Sequence, residues 1–238
     1  MQEKLRTYAS YASEFIAIGL VPVVLAVCTK FEIAGEAALT FLTAAAALLL
    51  FFAAYEWHMP QLRDIMPTAV MAALAAAGRI LFAPLPDVKP VSAIAIITGS
   101  VFGRRSGFMV GALAALVSNF FFGQGAWTPW QMYAWGFVGW GAGALAQLHL
   151  FQKMWVVYIY GAIAPLMYGF ILNMWSILNF FDANGIDDVL KIYAAALPLD
   201  ITHAIATILF LTVLFIPWRK KLERIRIKFG IGDNRGRW

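Results

Sequence analysis

The sequence is poor in charge and holds one cysteine. Only 13% of its 238 residues are Asp, Glu, Lys or Arg, against about 25% in soluble domains. Cys28 lies alone inside an apolar run, so neither a disulfide framework nor a cysteine-based zinc site is available. No G-x-x-x-x-G-K-[ST] loop occurs. Residues 99–105 (GSVFGRR) have glycines but lack the Lys-Ser/Thr pair, so the chain is not expected to hydrolyse ATP itself. H-E-x-x-H and G-x-S-x-G are missing too. Asp187 and Asp188 stand as an isolated acidic pair, and no ordered nucleophile and base emerges, which leaves an intramembrane enzyme unsupported. A cleavable signal peptide is not expected, because Glu14 precedes the first apolar run and no A-x-A-like site leads into a soluble domain.

What fills the chain is apolar: 62% of it is hydrophobic. Eight apolar segments are legible, at residues 14–28, 37–55, 65–83, 91–102, 107–122, 128–148, 154–180 and 190–216. A helix crossing hydrocarbon needs roughly 20 residues, so the first, fourth and fifth are marginal alone and call for tilt or interfacial extension. The expected fold class is an all-α polytopic membrane helical bundle. Its expected parts are an N-terminal extension with two spans over residues 1–60, a six-helix core over 61–218, and a basic cytoplasmic tail over 219–238.

Lys and Arg orient the bundle. One set of loops carries Lys4, Arg6, Arg63, Arg104, Arg105, Lys153 and the run from Arg219 to Lys228, whereas Lys30, Lys89 and Lys191 on the other side are outnumbered by acids. By the positive-inside rule both termini are cytoplasmic. The formal charge of +5 falls in these membrane-flanking clusters, which explains it without nucleic acid. The tail, with Ile225, Ile227 and Phe229 among its cations, is expected as a helix extension lying against the inner leaflet. The outward loops are then 84–90 (PLPDVKP), 123–127 (GQGAW) and 181–188 (FDANGIDD). Three prolines make the first a stiff, extended segment, and Asn184-Gly185 marks a turn in the third.

Residues 118–136 (SNFFFGQGAWTPWQMYAWG) combine aromatics with uncharged hydrogen-bonding groups. Asn119, Gln124, Thr128 and Gln131 suit a neutral polar ligand, while Trp127, Trp130, Tyr133 and Trp135 offer flat apolar surfaces. An interfacial aromatic belt also predicts Trp127, but only a pocket predicts Gln131 and Trp135 deeper on the same face. Ionisable groups inside spans are costly and need partners or water. Arg79, one turn before the proline loop, either snorkels to the outer interface or meets a ligand or an ion-pair partner. Asp200 and His203 share a face in the last span, where they line a site or bond each other. Tyr168, Asn173, Ser176 and Asn179 lie in the seventh span, where Ser and Asn also serve as interhelical glue. Ala69, Ala73 and Ala77 repeat every four residues with Ala72 and Ala76 beside them. Such a stripe lets another helix approach closely, as do Gly107, Gly111, Gly139 and Gly143.

From Ala69 to about Ile216 the chain resembles the substrate-binding S component of an energy-coupling factor (ECF) vitamin transporter. The resemblance rests on the alanine-striped helix ending GRILFAPLP, the following Lys89-Pro90, the run ITGSVFGRRSGFMVGALAALVSNFFFG, and the re-entry GQGAWTPWQMYAWG. It implies a six-helix core, with the first two spans departing from the usual pattern. It also implies capture of a vitamin from outside a bacterial plasma membrane, with a membrane coupling subunit and two ATPase subunits driving transport. Ala69, Ala73 and Ala77 would form the coupling-subunit interface, and Pro84, Pro86, Asp87, Lys89 and Pro90 a gating loop. The substrate site would draw on Arg79, Asn119, Gln124, Trp127, Trp130, Gln131, Trp135, Tyr168, Asn173, Asn179, Asp200 and His203, with no metal and no permanently bound cofactor. The GQG-WTPWQM form looks most like the cobalamin-uptake branch, so cobalamin is the expected transported ligand. Folate, pantothenate or riboflavin are alternatives, and Arg79 suits an anionic vitamin. An ion-coupled secondary transporter relaying protons through Asp200 and His203 is a different reading, as is a membrane enzyme or scaffold.

Overall fold

The computed structural model describes residues 2–30, 62–180 and 186–231. The expected second span (37–55), the Asn184-Gly185 turn and the side chains of Cys28 and Asn179 lie outside the described residues. Among the described residues seven α-helices make up an all-α membrane bundle: α1 (Gln2–Lys30), α2 (Leu62–Leu81), α3 (Val91–Phe102), α4 (Arg104–Phe122), α5 (Trp127–Gln147), α6 (Met154–Phe180) and α7 (Ile186–Phe229). A 3-10 turn, Leu150–Gln152, links α5 to α6. By length and composition alone α4, most of α6 and α7 suffice to cross a membrane, and the apolar parts of α1, α2 and α3 are shorter.

The shortness of α3 has a structural reason. Its 12 residues span about 18 Å, less than the hydrocarbon thickness of ~30 Å, but ten of them are buried. The helix is apolar all round because it is the axis of the bundle. It packs on α2, α4, α5, α6 and α7.

Glycine allows the close approach. Gly103, at φ 92°, is the single residue between α3 and α4, a left-handed value that a residue with a Cβ rarely adopts. A Cβ on Gly107 would run into the Gly139 backbone, one on Gly139 into Gly107, and one on Gly111 into the Trp135 carbonyl. The α4–α5 crossing is therefore backbone against backbone, as the glycine spacing implied.

One expectation changes. The 84–90 segment is not extended: Leu85 N–H bonds the Phe82 carbonyl at 3.0 Å and Val88 N–H the Leu85 carbonyl at 3.3 Å. Asp87 takes a left-handed φ of 54° and pairs with Lys89 at 2.7 Å. The prolines stop α2, and the freed backbone groups then close on each other as consecutive turns. The basic tail continues the last helix, as expected. Helix α7 runs unbroken to Phe229, with Leu222 part of the hydrophobic core and Ile225 packed against it. Arg219 donates to the Phe151 carbonyl at 2.9 Å and Arg226 to the Val101 carbonyl at 3.0 Å. These guanidinium groups satisfy carbonyls at the ends of the 3-10 turn and α3, which have no helical partner.

Candidate functional site

Six helices converge on a chain of polar side chains. Arg79, one turn from the end of α2, is only 7% exposed, so it turns inward and does not snorkel. Its Nη1 donates to Ser118 Oγ and to Asn119 Oδ1, both at 2.6 Å. Asn119 Nδ2 passes the chain to α5, donating to Gln131 Oε1 at 2.8 Å and Thr128 Oγ1 at 3.1 Å. Gln131 Nε2 donates to Tyr168 OH at 3.2 Å on α6. The Tyr168 ring stacks on Trp135, centroids 4.5 Å apart, and meets the His203 ring edge-on at 5.3 Å. His203 Nε2 lies 3.0 Å from Ser92 Oγ at the start of α3.

Local sequence explains how α5 enters this cluster. Gly123, at φ 98°, ends α4. Thr128 then ties the loop to the helix start: its Oγ accepts from Gly125 N–H at 3.2 Å and donates to Gln124 Oε1 at 3.0 Å. Gln124 Nε2 donates to the Leu116 carbonyl at 2.9 Å. Pro129 falls in the first turn, where a missing N–H costs no helical bond.

Donors outnumber acceptors here. Arg79 has no carboxylate partner among the described residues. The guanidinium lies instead against two rings, 4.5 Å from the Phe122 centroid and 4.9 Å from that of Trp135. Among the described residues, buried Arg79 Nε, Trp130 Nε1 and Trp135 Nε1 find no hydrogen-bond acceptor. Each orphaned donor costs about 1–3 kcal/mol, so a ligand acceptor that reaches one recovers energy of that order.

Of the expected site residues, the structure joins Arg79, Asn119, Gln124, Gln131, Trp135, Tyr168 and His203 in one polar and aromatic network, with Trp130 buried nearby on α5. Trp127 sits half-exposed at the rim, edge-on to Trp175 at 6.0 Å. Asn173 is half-buried on α6. Asp200 and His203 do not bond each other; the Asp200 carboxylate packs against Gly169. Ser92, Ser118 and Phe122 escaped the sequence reading. Ser118 was readable as half of a Ser-Asn pair closing an apolar helix, but Ser92 and Phe122 gave no local signal.

Phe82 of the 82–90 loop meets Phe210 of α7 edge-on at 5.2 Å. Phe82 and Val88 also cover an apolar groove of about 390 Å³ lined on α7 by Ile205, Leu209 and Val213. On α2, Ala69, Ala73 and Ala77 face outward, whereas Ala72 and Ala76 are buried in the bundle. No three His, Cys, Asp or Glu side chains gather as a metal site among the described residues.

No curated protein and no solved structure matches the chain. A family model described as "ECF-type riboflavin transporter, S component" matches residues 59–221, which takes in α2 through α6 and most of α7. A match over more than half of the sequence, on the same six helices that build the polar network, assigns the chain: it belongs to the family of ECF-type riboflavin transporter S components.

Proposed function

We propose that this protein captures a vitamin of the flavin class from the outer face of a bacterial plasma membrane. It delivers the vitamin through a membrane coupling subunit with two ATPase subunits. The observation that carries the reading is the surplus of buried donors around Arg79, Trp130 and Trp135. An isoalloxazine presents ring nitrogens and two carbonyls as acceptors and a flat apolar body for Trp135 and Tyr168 to stack on. The family's riboflavin name supports the same ligand. The turns at 82–90 serve as the gate, held shut by Phe82 on Phe210. The outward row Ala69, Ala73, Ala77 receives the coupling subunit, since small side chains permit close helix contact.

Cobalamin is the second reading. The observation favouring it is the row of exposed aromatics Phe120, Phe121, Phe122 and Trp127, apolar surface that a large ligand could cover. A thermal-shift panel of purified protein with riboflavin, cobalamin, folate and pantothenate tests both. Stabilisation by riboflavin supports the proposal, stabilisation by cobalamin alone replaces the flavin with a corrinoid, and no stabilisation by any vitamin defeats the capture role.

A further inference from the structure

The family match begins at residue 59, so α1 lies outside it, yet α1 is fastened to the core at a buried charged site. Glu14 is 2% exposed. Its Oε1 accepts from Trp140 Nε1 at 2.8 Å and lies 3.3 Å from Arg104 Nε, while its Oε2 is 3.2 Å from Arg105 Nε. The two arginines open α4 beside the Gly103 turn, so one carboxylate ties together α1, the α3–α4 turn and α5. One turn further on, the Ile18 carbonyl accepts from Tyr133 OH at 2.9 Å. As numbering rises along α1 it falls along α5, so the helices run antiparallel. The two ties are seven residues apart on α5, about 10 Å. Between them Tyr133, Phe137 and Trp140 stack as a ladder, with centroid spacings of 5.9 Å, and Phe15 closes on Trp140 edge-on at 5.5 Å.

The ladder occupies one face of α5; Thr128, Gln131 and Trp135 occupy another. We propose that α1 is a splint for α5, and that Glu14 is a positioning residue for ligand capture, acting through α5 on Gln131 and Trp135. Side-chain geometry in a binding site must be held to fractions of an ångström, and α5 supplies more of this network than any other helix. Glu14 fixes its depth, and Tyr133 fixes its rotation at the outer end. Helix α1 packs on α5 and α6, whereas α2 packs on α3 and α4, so the splint leaves the Ala69–Ala77 row open. The capture part of this inference rests on the proposed function; the splint does not.

The test uses the full chain and two readouts. Hydrogen exchange is followed at residues 127–135, and riboflavin affinity by flavin-fluorescence titration, in Glu14→Ala, Glu14→Gln and Tyr133→Phe. Expected are exchange in 127–135 faster by about tenfold and affinity weaker by about tenfold in Glu14→Ala. Glu14→Gln, which keeps an acceptor for Trp140, should fall between it and the unaltered protein. Tyr133→Phe should show a smaller effect confined to the same stretch. Unchanged exchange at 127–135 in both Glu14→Ala and Tyr133→Phe overturns the splint, and so does a uniform rise across all helices. If Glu14→Ala does not fold, Tyr133→Phe decides. Faster local exchange in a protein that binds no flavin upholds the splint and defeats the ligand assignment instead.

Discussion

Arg79 reaches 40 residues along the chain to Asn119, Nη1 to Oδ1 at 2.6 Å, and pairs with no carboxylate among the described residues. A buried cation held only by neutral oxygens and ring faces has its charge incompletely compensated. On the proposed function, an acceptor-bearing ligand would supply the missing compensation.

Arg79→Gln follows from that relationship. Removing an uncompensated buried charge should leave the melting temperature of the ligand-free protein unchanged or raise it. Losing a hydrogen bond from a charged donor should weaken riboflavin by about tenfold or more. Thermal unfolding with and without riboflavin measures both at once, and a parallel fall in ligand-free stability contradicts the account.

Phe82→Ala removes the edge-to-face contact that holds the 82–90 turns on α7. Such a pair contributes about 0.5–1.5 kcal/mol beyond its area. Stopped-flow binding should show faster ligand release, by roughly three- to tenfold. The Asp87–Lys89 pair closes within the loop itself, so Lys89→Ala should change release much less.

Gly139→Ala places a methyl against the Gly107 backbone, which has no rotamer to move out of the way. Overpacking of this kind costs about 1–3 kcal/mol or more, and the α4–α5 crossing carries the polar chain. Loss of monodisperse protein, or a melting temperature lower by several degrees, is expected in size-exclusion and thermal assays. Gly19→Ala is the control, because nothing lies within 4 Å of its added methyl.

Ala73→Trp alters the outward row of α2 and touches none of the polar network. Riboflavin binding should survive, while co-purification with the coupling subunit and ATP-driven uptake should be lost. Uptake at the unaltered rate would remove this row from the coupling interface.

Helices and their order were readable because long apolar runs in a low-charge chain have few other ways to satisfy their backbone. The glycine-based crossing was readable for a related reason, since Gly107, Gly111, Gly139 and Gly143 repeat at the spacing that close packing needs. Residues of 118–136 revealed half of the polar chain, because Asn119, Gln131 and Trp135 lie near one another in sequence. Ser92 and Phe122 were not readable: a serine opening an apolar helix and a phenylalanine among three in a row gain meaning only from His203 and Arg79. Glu14 looked like the edge of a span, and nothing nearby in sequence tells that its partners are Arg104, Arg105 and Trp140. The helical tail was readable from apolar residues spaced among its cations, but not that Arg219 and Arg226 reach backbone carbonyls far away in sequence.

The most direct measurement is a riboflavin titration of the purified protein beside its Gln131→Ala variant, followed by quenching of flavin fluorescence. Gln131 links Asn119 to Tyr168 at the middle of the chain and is not needed to build the glycine crossing. Saturable binding by the unaltered protein, weakened at least about tenfold in Gln131→Ala with the ligand-free melting temperature retained, is the predicted result. Equal affinities in the two proteins, or no saturable binding in the unaltered one, would contradict it.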